Sequence, residues 1–262
     1  MSDIMPKIDD QMIGLYAIKK YIQKYHKVEI ELTKGDYGNF NIEEIIKKFM
    51  DVLPNVKEIT LKPLSNTNTF EYYFYHKQDI LKEHMETMKK LSREYKIGIN
   101  IIFPVEANIK LYKDILWKDI KEVLNLMKGY NIRILLENMT YIREEECTAL
   151  QICKFFGDEQ LLTCFNVFHA YQRSIIFLEN IDVYLHKYLC NSDRYIYQIH
   201  FRKLDETESF HHTLEDIMED VLLLKPYHID QKIISIDITE KNKQDKIEEI
   251  KEIELLEKIA NS

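Results

Sequence analysis

Short strand-type segments alternate with amphipathic helical stretches along almost the whole chain, and this alternation restricts the fold more than any other feature. Strand patterns fall at residues 27–33, 56–62, 97–103, 132–137, 162–168, 195–200 and 232–237. Helical patterns fall at 13–24, 42–52, 77–95, 112–128, 144–156, 175–189, 214–224 and 246–260. Strand ends recur at about 30–40 residues, the length of one strand-plus-helix unit. Alternating elements of this kind imply a parallel sheet, and 262 residues match one β/α barrel. The expected fold is therefore α/β, a (β/α)8-type barrel, with residues 1–262 as one domain. The eighth strand would be 4–8, where Pro6 intervenes, so the first strand is expected to be short or missing.

Composition bounds the function. Hydrophobic residues at 45% supply a core, and a net charge of −8 argues against a nucleic-acid binder. No apolar run reaches the roughly 20 residues of a membrane helix. The N-terminus lacks the pattern of a signal peptide, so the cytoplasm is the expected location. Cys147, Cys153, Cys164 and Cys190 show no CxxC spacing and read as free, buried thiols. With 6 glycines and no glycine-rich phosphate loop, dinucleotide and P-loop sites are not expected.

Within a barrel strand, side chains alternate between the helices and the lumen. The polar parity of these segments puts Glu31, Lys62, Phe103, Glu137, Asn166, His200 and Asp237 at the last inward positions. Those positions line the carboxyl-terminal mouth, where barrel enzymes do their chemistry. Glu137, His200 and Asp237 would be desolvated there, and a divalent cation would relieve the cost for all three. Oxygen and imidazole donors of this mixture suit manganese, zinc, magnesium or cobalt.

The ordered segments resemble a known family. Leu135-Leu136-Glu137-Asn138 is similar to the "LEN" strand end of the xylose isomerase-like TIM barrels. These include sugar-phosphate isomerases and epimerases and the AP endonuclease family 2 branch. Asn166-Val167-Phe168-His169 resembles the D-x-x-H motif of that superfamily. The run Ile199-His200-Phe201-Arg202-Lys203-Leu204-Asp205 is similar to its H-l-k-D segment, and His211-His212-Thr213-Leu214 to the H-x-x-L that follows. Asp237 sits where the family ends its last strand in glutamate. The resemblance implies a metal held by Glu137, Asn166, His200 and Asp237. It also implies that Glu137 and Asp237 serve as acid and base around an enediolate. Lys62, His169 and His211 are assigned to substrate. Departures are plain: Asn166 replaces an aspartate, Asp237 is one methylene shorter, and the family's arginine has no counterpart in register. In the endonuclease branch two further zinc histidines are expected, where this chain has Lys62 and Phe103, neither of which can donate an electron pair to a cation.

Two readings stay open. One is a metal-dependent isomerase or epimerase of a small sugar or sugar phosphate, as a monomer or an oligomer. The other is a barrel that has lost catalysis and its metal and serves as a binding or scaffold protein; a metal-dependent phosphodiesterase is a distant third. Blander roles exist for each residue. Glu137 alternatively pairs with Arg133 or Lys62, Asn166 satisfies backbone groups, His169 sits in the core and Asp237 caps a turn. Trp117 is expected in the core, and the Tyr72–Tyr75 run on the rim.

Overall fold

The computed structural model describes residues 3–9, 19, 22–32, 40–63, 69–139, 148–178, 180–190, 192–203, 224–227 and 232–238. Its strands are β1 (Asp3–Met5), β2 (Lys7–Asp9), β3 (Lys27–Leu32), β4 (Glu58–Pro63), β5 (Gly98–Val105), β6 (Ile132–Asn138), β7 (Leu161–Asn166), β8 (Ile196–Lys203) and β9 (Ile233–Ile238). All neighbours run parallel, in the order β1-β9-β8-β7-β6-β5-β4-β3-β2. Parallel strands need crossovers, and the helices between them supply these.

The ends of that order close on each other. β1 and β2 are one extended stretch divided at Pro6. Ile4 registers with Ile234 on the last strand, and Ile8 with Ile30 on β3. Pro6 has no N–H to give, but its carbonyl accepts from Glu29 N at 2.9 Å. The first strand is thus present and short, and it joins the two edges of the sheet into a barrel.

Helices cover the outside because their stripes are apolar. Ile42–Val52 starts at Asn41, whose side chain accepts from Glu44 N, and buries Ile42, Ile46, Phe49 and Met50. Gln78–Tyr95 buries Leu81, Met85, Met88 and Leu91 and stops at Lys96 in the left-handed region (φ 56°). Among the described residues no helix is long and apolar enough to cross a membrane.

Several expectations need correction. Strand β5 runs through Pro104, which registers with Glu137. Its pairing with β4 ends earlier, at Ile101, so the missing N–H leaves no ladder broken on that side. Phe103 does not face the lumen; it packs under the helices against Phe70 and Tyr73, while Ile102 faces inward with Leu135 and Cys164. Strand β7 ends at Asn166, and Val167–Phe177 is already helix. A separate helix, Ile181–Leu189, follows, because Leu178 turns the chain in the left-handed region (φ 53°). Tyr112–Leu116 forms a π turn ahead of the helix Trp117–Met127. The extra residue rotates the stripe, so Ile115 and Trp117 are exposed rather than core. Phe70–His76 is a short helix of its own. The helices expected at 13–24, 214–224 and 246–260 lie almost wholly outside the described residues.

Candidate active site

Four strands bring inward residues from near their carboxyl ends together. Lys62 comes from β4, Glu137 from β6, Asn166 from β7 and His200 from β8. Registration staggers them: Asn166 stands opposite His200, whereas Glu137 stands opposite Cys164, one inward position below Asn166, with Pro104 as its neighbour on β5. A reciprocal amide clamp fixes the middle pair of strands. The Asn166 backbone N–H donates to Asn138 Oδ1 (2.7 Å), and Asn138 Nδ2 donates to the Asn166 carbonyl (3.0 Å). Asn166 also caps the next helix, its Oδ1 accepting from His169 N at 3.2 Å.

Glu137 Oε1 is ringed by three donors. Lys62 Nζ lies at 3.0 Å, Asn166 Nδ2 at 3.0 Å and His200 Nδ1 at 2.9 Å. The other imidazole nitrogen, His200 Nε2, meets Glu29 Oε2 at 2.7 Å. Glu29, which sequence reasoning missed, also accepts from Gln198 Nε2 at 2.6 Å. Gln198 in turn meets Thr60, and Asn100 donates to both Thr60 and Glu58. Tyr197 closes this polar column by donating to Glu58 Oε2 at 2.7 Å. Tyr197 and Gln198 both face inward because β8 carries one extra residue opposite Thr163 and Cys164.

The electrostatics follow from burial and pairing. Burial raises the Glu29 carboxyl, but His200, Lys7 and Lys62 outweigh it and bring it to about 2. Burial likewise opposes ionisation of Glu137, yet Lys62 and His200, with His169 further out, hold it well below the usual carboxylate range. Burial disfavours charge on His200, and Cys164 and Glu29 overcome this, holding it well above its ordinary value. Burial pushes the Cys164 thiol up. An imidazole facing a carboxylate at each nitrogen is placed to donate from both when protonated, and the Gln198 amide nitrogen also lies 2.7 Å from His200 Nε2.

The expected residues therefore divide. Lys62, Glu137, Asn166 and His200 meet, and the Glu137 ion pair is made with Lys62 rather than Arg133, which lies over the Tyr197 ring. His169 stands at the edge, bonded to Asn166 through its backbone. Asp237 lies on β9 in register with Arg202, its side chain outside the described residues, as is all of His211. Of the missed residues, Glu29 had a signal: it shares the inward parity of Glu31, one position deeper. Cys164 had the same signal relative to Asn166.

Glu137, Cys164 and His200 each offer a ligand atom, all within 4.8 Å of one another, and by distance alone this group could hold a metal. The occupied contacts argue otherwise. Lys62 Nζ already lies against Glu137 Oε1 and 3.4 Å from His200 Nδ1. Both imidazole nitrogens face carboxylates, whereas a ligating nitrogen must be bare. As arranged, these residues do not fit a resident divalent ion.

No protein-family model matches the sequence, and no curated protein matches it. Solved structures do. A D-tagatose 3-epimerase-like protein superposes with a TM-score of 0.61 at 17% identity, covering 98% of each chain. The 3-keto-D-glucoside 4-epimerase YcjR from E. coli gives 0.60 at 10% identity over 98% of this chain and 100% of its own. The IolI protein, solved with a binding zinc atom, gives 0.61 at 16% identity over 98% of each. The strand order, the closed barrel and these superpositions agree that the chain has a TIM-barrel fold like that of these proteins.

Proposed function

We propose that this barrel is an isomerase or epimerase of a small sugar or sugar phosphate, working through an enediolate at its carboxyl-terminal mouth. The observation that carries the reading is the meeting of Lys62, Glu137, Asn166 and His200 near the carboxyl ends of four strands. Two cations beside a carboxylate is the arrangement that proton abstraction next to a carbonyl needs. The carboxylate moves the proton, and the cations stabilise charge developing on oxygen. Glu137 and Asp237 are assigned as the proton carriers, in an order left open. A substrate oxygen that draws Lys62 toward itself would loosen the Lys62–Glu137 pair and raise the basicity of Glu137 at the moment it is needed. Lys62, His169 and His211 are assigned to substrate. Sugar epimerases that share the fold support the substrate class. Cys153, Cys164 and Cys190 form no disulfide, which suits a reducing compartment such as the cytoplasm.

The test is hydrogen exchange. A panel of ketoses, aldoses and their phosphates is incubated with the protein in D2O and followed by proton NMR. The expected result is loss of one C–H signal next to a carbonyl, abolished in Glu137→Gln. Absence of exchange with every sugar overturns the proposal.

One observation favours the binding-barrel reading instead. Glu137 is already paired with Lys62, and His200, 1% exposed, is enclosed by two carboxylates. On that reading sugars bind, as isothermal calorimetry would detect, but exchange no hydrogen. A zinc phosphodiesterase finds no support here, because Lys62 is itself a cation and Phe103 lies under the helices.

A further inference from the structure

We infer that the Lys62 ammonium takes the place of a divalent cation in this barrel, so that the site holds and polarises its sugar without a metal. The inference deepens the proposed function and rests on it for its catalytic half; its structural half stands alone.

Three observations converge. The first is position. Lys62 Nζ sits 3.0 Å from Glu137 Oε1 and 3.4 Å from His200 Nδ1, two atoms that a bound ion would have to claim. The second is the orientation of Asn166. Its amide can be placed only one way: the oxygen accepts from His169 N, and the nitrogen donates to Glu137. The end of the amide that faces the site is thus the end with no lone pair to offer a cation. An aspartate at 166 would present an anion there; the amide presents a donor. The third is charge. Among the described residues at the mouth, the Glu137 carboxylate already has the Lys62 ammonium beside it. Buried charges are tolerated when paired, and a divalent ion added to this set would leave excess positive charge in a water-poor site.

Lys62 stems from β4, in register with Glu31 of β3. A strand-borne ammonium is a point charge with three donors on a flexible stem, able to turn an N–H toward a substrate oxygen as its pair with Glu137 loosens. It supplies part of the polarisation that a Lewis acid would supply and needs no bare ligand nitrogen.

The test uses the full chain and one ion at a time. Wild type, Lys62→Arg, Glu137→Gln and the double variant Lys62→Ala/Asn166→Asp are equilibrated with excess manganese chloride or zinc sulfate. Each is passed through gel filtration and analysed for metal. Ion retained equally by Glu137→Gln lies elsewhere on the chain and is subtracted. Wild type and Lys62→Arg are expected to hold no stoichiometric ion at this site. The double variant is expected to gain one ion and a melting temperature that rises with it. Should that variant be unfolded alone, folding on addition of either ion counts the same way, and Lys62→Met/Asn166→Asp provides a bulkier repeat. A stoichiometric ion in wild type that Glu137→Gln loses would overturn the inference. So would a folded double variant that takes up none. Where exchange in D2O is observed, it should survive EDTA undiminished; a loss restored by metal would overturn the catalytic half. Failure of the function itself looks different, with no sugar exchanging in any sample while the metal arm still reports on Lys62.

Discussion

Glu137 is the residue on which the site's charges depend. Replacing it with Gln leaves Lys62 and His200 facing each other across 3.4 Å with no carboxylate between them. Breaking a buried pair in this way costs roughly 3–5 kcal/mol, so the urea midpoint of Glu137→Gln should fall sharply. Part of that loss should return in Lys62→Met/Glu137→Gln, which removes both members. The rim residues were legible in the sequence because parity along a strand is rigid: Lys62, Glu137, Asn166 and His200 were all read from alternation alone. Glu29 was overlooked because it lies one inward position below the rim, where an acid between Val28 and Ile30 looks like ordinary alternation. Phe103 was placed inward because its strand was taken to stop at Pro104. The strand is buried on every residue and its one polar side chain, Asn100, was the parity signal passed over: it shares its inward face with Ile102, not Phe103.

At the scale of elements, the alternation of strand and helix was legible, and the junctions were not. Asn166 ends a strand and caps a helix in one residue, a double duty that a run of apolar letters from Leu161 to Phe168 conceals. The break after Phe177 was hidden too, because it uses Leu178 in a conformation that glycine normally takes. Leu178 is 93% exposed, so its side chain contributes little packing. Leu178→Gly should therefore relieve strain and raise stability by about 1 kcal/mol, readable as a higher melting temperature. The opposite result is expected at Phe70. Its ring is fully buried and packs on Phe74, Phe103 and Tyr112. Phe70→Ala should cost about 3–5 kcal/mol, checked by denaturant unfolding with an unchanged m-value.

Over the whole molecule, the buried charges set how stability follows pH. Glu29, at about 2 rather than 4.5, and Glu137, also lowered, contribute stability that is complete above pH 4.5. It is lost as the pH falls through their folded values. His200, raised above 6.5, contributes stability complete below pH 6.5 and lost as the pH rises through its folded value. The melting temperature should accordingly peak between pH 4.5 and 6.5 and decline on both sides. His200→Gln should flatten the alkaline decline. Closure of the barrel depends on the shortest piece of sheet. Deleting residues 1–9 would bare the facing edges of β3 and β9, and the truncated chain should aggregate on refolding. The barrel was legible as a whole, and its first strand only in outline, because a proline at its centre masks three-residue pairings on either side. That proline has a mechanical consequence. The cylinder has a seam, stitched by three residues to one neighbour and three to the other. Slow breathing of the wall should begin there, so its amide protons should trade with solvent ahead of those in β5 and β6.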